Sequence, residues 1–401
     1  MISFNEAIDS INLLATDWGV ESVPLEDAAG RVISEPVEAD REYPPFNRAA
    51  MDGYAVRSGD ILEKGIREFR VVGEIFAGQP AAIVVQSGEA VKIMTGAPVP
   101  DTADAVIKRE DAVETPGGVA FHVDEFVRHQ CIAKKGGDIA HGGVIINNSL
   151  QIGTGEFSVL ASLGKSHVNV FRRPRVALIS TGDEILPVGE TPASYQIRDA
   201  NRYSIAGMLD RFRIRPMFTA IVRDEAEVLR RTIESALDND LLILSGGVSA
   251  GDADLVPGIL AACGVREQFH RVKIKPGKPL WVGSHPRGAR VFALPGNPYS
   301  VQAACRLFID PFLRACFHLP AQAPLLLPMR QARKKQTQFD EFFPARIVNT
   351  ATGAHAEPLA YHSSGDITAS LGTDGMVRHP AGAGDLRAEE IVDLYLWNSI
   401  R

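Results

Sequence analysis

The pattern of apolar residues predicts a parallel α/β domain in the second half of the chain. Leu241–Leu244 is a run of four branched apolar residues, which is typical of a strand buried on both faces of a parallel sheet. Further strands are predicted at Val176–Ser180 and Met217–Val222, with helical patterns between the strands. The helix after the strand that ends at Val222 is predicted to begin at Asp224, with Glu227 as its capping partner. This alternation indicates a doubly wound parallel sheet.

The remaining segments are predicted to be mainly β-structure. Between about residues 46 and 145, short β-like runs alternate with glycine and proline, and this pattern favours a separate all-β domain. Near the N-terminus, Ser3 and Glu6 predict a capping box at the start of a helix. Residues 318–328 form a proline-rich linker, and the short apolar runs beyond it suggest a small β-barrel.

Composition and charge narrow the classes of function. The 401 residues carry a formal net charge of −7, which gives no support to a surface that binds nucleic acid or membranes. No apolar run approaches the roughly 18–20 residues of a membrane-spanning helix, and residues 1–10 lack the features of a signal peptide. The four cysteines form no CxxC pair, so we expect reduced thiols in a cytoplasmic protein.

The segment directly after Leu241–Leu244 carries candidate chemistry, and three interpretations of it remain open. Its polar and glycine residues are Ser245, Gly246, Gly247, Ser249, Asp252 and Asp254. Ser245, Gly246, Gly247 and Ser249 would form an anion cradle at a helix start, or Asp252 or Asp254 would cap that helix with no ligand bound. The third interpretation is a serine hydrolase with Ser249 in a G-x-S-x-G elbow. Two aspartates at the helix start argue against it, because an oxyanion hole needs positive potential.

Two further loops strengthen the case for an anion site. Thr181–Glu184 follows a predicted strand with the same combination of glycine and acidic residues. Lys275 and Lys278 lie in a Pro-Gly loop after another strand and supply positive charge. Ligands bind outside the carboxyl ends of strands in such sheets, and carboxylates near phosphates suggest a bridging Mg²⁺. The chain lacks a Walker A motif and has no G-x-G-x-x-G after a strand.

Together these motifs resemble the molybdopterin molybdenumtransferase (MoeA) family, which includes the E domain of gephyrin. The matching segments occur in the family's order from about residue 43 to residue 310. They are PPFNRAAMDGYAV, MTGAPVPDTADAVI, GGDIAHGG, RPRVALISTGDEIL, IRDAN, SGGVSAGDAD, KPGKPL and LPGNPYS.

The resemblance implies an α/β and β multidomain architecture and a homodimer. A discontinuous linker domain would comprise residues 1–45 and 146–170, with an inserted β domain at 46–145. A MogA-like α/β domain would follow at 171–320 and a C-terminal β-barrel at 321–401. The inserted domain of one subunit would lie near the α/β site of the other.

The resemblance also implies a reaction and a set of site residues. Molybdenum from molybdate would enter adenylylated molybdopterin in the presence of Mg²⁺, and AMP would leave. The implied metal ligands are Glu184, Asp252 and Asp254, and the implied catalytic residues are Glu184, Asp254, Asp52 and Asp138. The implied substrate-binding residues are Ser245, Gly246, Gly247, Ser249, Lys275, Lys278, Thr95, Asp224, Pro295 and Pro298. Asp52, Thr95 and Asp138 would face the partner's site.

Several positions depart from the family pattern. Asn47 and Ala49 stand where the family usually has Asp and Ser, and the R-x-E-F-x-R pattern of the tail is replaced by Phe339–Pro344, with Arg346 as a substitute cation. These departures leave open a paralogue that handles tungstate, or a non-catalytic scaffold. The expected partners are a molybdopterin adenylyltransferase and recipient molybdoenzymes.

Overall fold

The computed structural model of the chain describes residues 1–123, 125–248 and 255–398. It forms two compact units. The larger unit comprises Met1–Ser34, Ser149–Ser158 and Lys165–Arg401, and the smaller unit comprises Glu35–Asn148 and Val159–Gly164.

A six-stranded sheet forms the centre of the larger unit. In spatial order its strands are Phe218–Val222, Val176–Thr181, Leu241–Ser245, Arg290–Leu294, Trp281–Ser284 and Arg266–His270. The first four run parallel, which confirms the predicted α/β class. Trp281–Ser284 runs antiparallel to both of its neighbours, Arg290–Leu294 and Arg266–His270, so the sheet is mixed at that edge.

The apolar run at the centre of this sheet is buried on both faces, as its composition predicts. Leu241 and Ile243 pack into one hydrophobic core, and Leu242 and Leu244 pack into another. Side chains alternate across a strand, so successive residues serve opposite layers. The helices of the larger unit are Phe4–Leu14, Asn201–Asp210, Ala226–Ala236, Val256–Ala262, Pro298–Ala304 and Asp310–Cys316, with a π-helix at Cys305–Ile309 and a 3-10 turn at Leu25–Asp27.

Two local predictions about helix starts have different outcomes. The capping box of Ser3 and Glu6 is present at the helix Phe4–Leu14. The cap predicted at Asp224 is wrong: Glu225 occupies the N-cap position and makes no side-chain bond there. Glu227 instead pairs with Arg230 and Arg231. The Asp224 carboxylate instead accepts a hydrogen bond from the Thr181 hydroxyl.

The C-terminal part of the larger unit is a second sheet. Its strands are Ile274–Lys275, Asp340–Thr350, Gly375–His379, Ile391–Leu396 and Leu325–Pro328, with Gly353–Pro358 paired to Asp340–Thr350. A bridge between Met329 and Ala356 links the edges into the barrel that the sequence suggests. The strand Ile274–Lys275 comes from the α/β segment of the chain, so it ties the lysine loop to the barrel. Two small pairs complete the unit: Val20–Pro24 with His167–Phe171, and Ile185–Leu186 with Ile197–Arg198.

The smaller unit is built mainly from strands. Its main sheet has the order Ala105–Lys108, Gly53–Val56, Glu89–Ile93, Glu68–Ile75, Gly118–Phe121 and Ala112–Thr115. Short pairs join Arg48–Ala49 to Ile132–Ala133 and Val37–Glu38 to Val144–Ile146. Its helical elements are Ser58–Leu62 and the 3-10 turn Arg109–Asp111. The helix Thr154–Ser162 contains residues of both units. Among the described residues, every helix is too short or too polar to cross a bilayer.

Candidate functional site

A cleft of about 850 Å³ opens at the carboxyl ends of the central parallel strands. In the register of the sheet, Ser180 lies beside Ser245, and Ser245 lies beside Leu294. The three loops that follow these residues therefore meet at one edge. Of the predicted site residues, those that line the cleft are Glu184, Asp224, Ser245, Gly246, Gly247, Pro295 and Pro298.

The loop that starts at Ser245 has a backbone that requires glycine. Gly246 and Gly247 have φ angles of +101° and +65°, a region that side chains rarely adopt. A Cβ atom on Gly246 would lie 2.3 Å from the carbonyl oxygen of Thr181. The N–H of Gly246 donates to the carbonyl of Leu294 at 3.1 Å. Gly246 therefore shapes the floor of the cleft, and its own amide is engaged within the protein.

Asn201 organises this floor, although the sequence interpretation assigned it no role. Its Nδ2 atom donates to the Ser245 hydroxyl at 2.9 Å and to the Gly296 carbonyl at 2.7 Å. Its Oδ1 atom is buried and accepts no hydrogen bond from the described residues. One side chain thus ties together two of the loops that line the cleft. The segment IRDAN was a motif in the sequence, but only the fold shows what its asparagine contacts.

Acidic side chains gather on another wall of the cleft. Glu184 and Asp224 line it, and the Asp183 carboxylate accepts the N–H of Asp224 at 3.2 Å. Within residues 1–123, 125–248 and 255–398, no three His, Cys, Asp or Glu side chains form a cluster that could hold a metal ion. Ser249, Asp252 and Asp254 lie outside the described residues. Of the predicted metal ligands, the structure therefore describes Glu184 alone.

The two predicted lysines line a smaller cavity of about 360 Å³, here called the lysine pocket. It shares Pro279, Pro295 and Asn297 with the cleft. Lys275 Nζ donates to Gln336 Oε1 at 3.1 Å, and Lys278 Nζ lies 5.8 Å from the ring centroid of Phe339. Residues of the C-terminal segment therefore contact the Lys275 and Lys278 side chains, and the lysine pocket adjoins the cleft.

Glu341 fixes the segment that carries Gln336 and Phe339. Its side chain is almost fully buried and accepts hydrogen bonds from Arg333 at 2.8 Å, from the Gln336 N–H at 2.8 Å and from the Thr337 N–H. Burial raises the pKa of Glu341, but the bonds from Arg333, Thr337 and Gln336 outweigh it, so the pKa lies below its usual value. Glu341 therefore acts as an ionised anchor for one wall of the lysine pocket.

The predicted substitute cation, Arg346, is engaged elsewhere. Its guanidinium pairs with Glu357 on the adjacent strand at 2.6 Å, and it is not among the described residues that line the lysine pocket. Ser364, in the segment His362–Gly365, by contrast lines that pocket, and its hydroxyl accepts a hydrogen bond from Asn297 Nδ2 at 2.9 Å. Ser364, and not Arg346, is thus among the C-terminal residues that line the lysine pocket, together with Thr337, Phe339 and Tyr361.

Asp52, Thr95 and Asp138 belong to the smaller unit. One carboxylate oxygen of Asp52 accepts both the hydroxyl of Thr95 at 2.6 Å and its N–H at 2.7 Å. These two bonds lower the pKa of Asp52. Asp138 is exposed in another turn, where its N–H donates to the Tyr43 carbonyl at 2.9 Å. The departure at Asn47 also has a local role, because its side-chain oxygen accepts the N–H of Lys135 at 3.0 Å.

Three family models match the chain in sequence. Residues 2–164 match the MoeA N-terminal region (domain I and II). Residues 177–315 match a probable molybdopterin binding domain. Residues 327–397 match the MoeA C-terminal region (domain IV).

Full-length relatives agree with these matches. A molybdopterin molybdenumtransferase of Synechocystis sp. is 30% identical over 407 residues, which cover 99% of this chain and 100% of that protein. One from Staphylococcus epidermidis is 29% identical and covers 99% of this chain and 96% of its own length. Two solved structures of the molybdopterin biosynthesis MoeA protein from Pyrococcus horikoshii align with TM-scores of 0.81 and 0.84. Their identities are 29% and 26%, over 100% and 99% of this chain and 100% of each solved chain.

Proposed function

Because this chain belongs to the MoeA family of molybdopterin molybdenumtransferases, we propose that it transfers molybdenum from molybdate into adenylylated molybdopterin and releases AMP. It is an enzyme of molybdenum cofactor biosynthesis. The proposed substrates are supported by one observation, which is that two cavities of different chemistry adjoin each other. The cleft is lined by hydroxyl, glycine and carboxylate groups, and the lysine pocket beside it is lined by two cations.

The chemistry of each cavity suits one part of the substrates. In the cleft, the loop at Ser245–Gly247 would receive the pterin phosphate, since its backbone allows close approach of a ligand. The ammonium groups of Lys275 and Lys278 suit a tetrahedral oxyanion such as molybdate. Asn297 lines both cavities and would separate the two ligands while leaving them adjacent. This arrangement would bring molybdate next to the pterin dithiolene.

Mg²⁺ fits the acidic wall of the cleft by its donor chemistry. The ion is usually held by one or two carboxylates together with substrate phosphates and water. Glu184 offers a carboxylate at the cleft, and Asp252 and Asp254 follow the same phosphate loop in sequence. Bound there, Mg²⁺ would polarise the phosphoanhydride as a Lewis acid. Glu184 would orient the ion, and Ser245 would orient the phosphate.

A turnover assay tests the proposed reaction. Purified protein receives adenylylated molybdopterin and Mg²⁺ with molybdate, with tungstate or with neither oxyanion, and AMP and protein-bound metal are measured. Molybdate-dependent release of AMP is expected. Lys278→Gln should weaken molybdate use by about tenfold or more, because a charge-assisted contact is lost. The matched control is Lys334→Gln, because Lys334 is an exposed lysine of the C-terminal segment and is not among the described residues that line the lysine pocket.

Other results of the assay would change the proposal. Release that depends on tungstate and not on molybdate would identify a tungstate paralogue. Binding of the adenylylated substrate without any release of AMP would favour a scaffold. Equal losses in Lys278→Gln and Lys334→Gln would remove the molybdate role of the lysine pocket.

We further propose that the enzyme acts in the cytoplasm as a homodimer in which Asp52, Thr95 and Asp138 of one subunit serve the cleft of the other. The family resemblance supports the homodimer with its shared site, and the free state of the four cysteines supports the cytoplasmic location. Subunit complementation tests the shared site. Asp52→Asn and Lys278→Gln, each expected to be impaired when alone, are mixed and refolded together. About one quarter of the activity should return, because half of the dimers are mixed and each has one intact site. No recovery would show that each subunit uses its own Asp52.

A further inference from the structure

A cluster of arginines lines two cavities outside the cleft. The first cavity, of about 640 Å³, is lined by Arg211, Arg213 and Arg314. The second, of about 290 Å³, is lined by Arg211 and Arg306. They share Gly207, Arg211 and Asn398, so they are adjacent. We call this pair the arginine pockets.

Positive charge exceeds negative charge at the arginine pockets. Among the described residues that line them, the charged side chains are four arginines and one carboxylate, Asp210. A second carboxylate, Asp310, is fully buried and lies 3.2 Å from Arg211 and 3.5 Å from Arg306. This local excess contrasts with the net charge of −7 for the whole chain. Burial lowers the pKa of Arg306 and of Arg314, since it removes water from their guanidinium groups.

Arg306 is the most constrained member of the cluster. Only 3% of the residue is exposed, and its Nε atom donates to the carbonyl of Leu396. Its Nη2 atom is buried and has no hydrogen-bond partner among the described residues. A charged donor left in this state is costly. Arg306 also lies in the π-helix Cys305–Ile309, and such irregular helical turns occur frequently at functional sites. Arg306 lines the smaller cavity, so a ligand there that accepts hydrogen bonds would lie next to this residue.

We propose that the arginine pockets bind the phosphate group of a small molecule, at a site separate from the cleft. Guanidinium groups present several donors in a plane and match phosphate oxygens in pairs. The larger cavity is within the size range of small-molecule sites. Neutral polar side chains, including Ser204, Gln302 and Ser370, line the smaller cavity and would bind the remaining oxygens. This site neither uses nor requires the proposed molybdenum transfer.

Calorimetric titration of the full chain with inorganic phosphate, at constant ionic strength, tests this site. The informative variant is Arg213→Gln with Arg314→Gln, because neither side chain pairs with the buried Asp310. The matched control is Arg231→Gln with Arg287→Gln, which removes two exposed arginines that are not among the described residues lining the arginine pockets. Phosphate affinity should fall by at least about tenfold in the first double variant and change by less than about twofold in the control.

A second pair of variants separates this site from the cleft. Lys275→Gln with Lys278→Gln should leave the arginine-dependent phosphate site in place. Arg306→Lys, which keeps the charge and removes the Nη2 donor, should weaken that site. Circular dichroism would verify that each variant is folded. The proposal is overturned by any of three results: no phosphate binding by the wild-type chain, equal binding by the two arginine double variants, or loss of all binding in the lysine double variant.

Discussion

Asp52 and Thr95, 43 positions apart in the chain, are joined by two hydrogen bonds to a single carboxylate oxygen. The Thr95 side chain and backbone both donate to it, at 2.6 and 2.7 Å. In the sequence the two residues belong to different motifs, Asp52 to AMDGYAV and Thr95 to MTGAPVP. In the structure they form one unit in which Thr95 holds Asp52 in its ionised state.

Thr95→Val should raise the pKa of Asp52 towards its ordinary value. The substitution removes the hydroxyl donor, which makes the larger contribution to lowering that pKa, and keeps the backbone N–H. The titration of Asp52, followed by NMR of its carboxyl carbon, measures the change. Thr115→Val, at an exposed position of the same unit, should leave the Asp52 titration unaltered. An unchanged midpoint in Thr95→Val would show that the backbone bond alone sets the pKa.

Gly246→Ala should lower the stability of the protein and disable the cleft. The new Cβ would lie 2.3 Å from the Thr181 carbonyl oxygen, and φ at this residue is +101°. We expect a loss of more than about 2 kcal/mol in the free energy of unfolding. Gly258→Ala is the control: it lies in the helix Val256–Ala262 with open space around it, so it should be neutral or gain up to about 1 kcal/mol. Urea unfolding of both variants makes the comparison, and equal stabilities would contradict the strained geometry.

Asn201→Ala should reduce turnover far more than it reduces stability. Its amide bridges Ser245 and Gly296, so its removal frees two loops that line the cleft. We expect a loss of about 1–2 kcal/mol in stability and about tenfold or more in turnover, because small displacements of positioned groups are costly. Asn239→Ala, which removes a local bond to the Ala236 carbonyl, should retain turnover. Similar activity in the two variants would show that the bridge does not position the loops.

Glu341→Gln should destabilise the protein and make it less sensitive to acid. The folded state lowers the pKa of Glu341, so this carboxylate contributes stability above its unfolded pKa and loses that contribution as pH falls through its folded pKa. Breaking the buried pair with Arg333 should cost about 3 kcal/mol near neutral pH. The difference from wild type should shrink in acid. Denaturant unfolding across pH measures both effects.

The matched control for Glu341→Gln is Glu227→Gln. Glu227 forms exposed pairs with Arg230 and Arg231 that lower its pKa to about 2, and exposed pairs contribute little to stability. Glu341→Gln should also weaken molybdate binding, since Glu341 positions the segment that contacts Lys275. Molybdate affinity is measured by calorimetry in a folded variant. An unaltered affinity would show that Glu341 stabilises the barrel without shaping the lysine pocket.

The sequence by itself determines those features that depend on residues close together in the chain. The run at Leu241–Leu244 identifies a strand with both faces buried, and the glycines after it identify a loop at a strand end. The order of motifs from residue 43 to residue 310 identifies the family. Each of these signals depends on local periodicity or on a contiguous pattern, so one chain suffices to find it.

The tertiary structure alone decided which side chains meet. Lys275 lies beside Glu341 in a shared sheet. Asn201 bridges two loops of the cleft, and Arg346 pairs with Glu357 away from the lysine pocket. Asp224 accepts a hydrogen bond from Thr181, although the local sequence predicts that it caps a helix. These outcomes depend on the register and packing of elements that lie far apart in the chain. The free energy of such contacts comes from burial and hydrogen-bond geometry in the folded state, which no local pattern of residues contains.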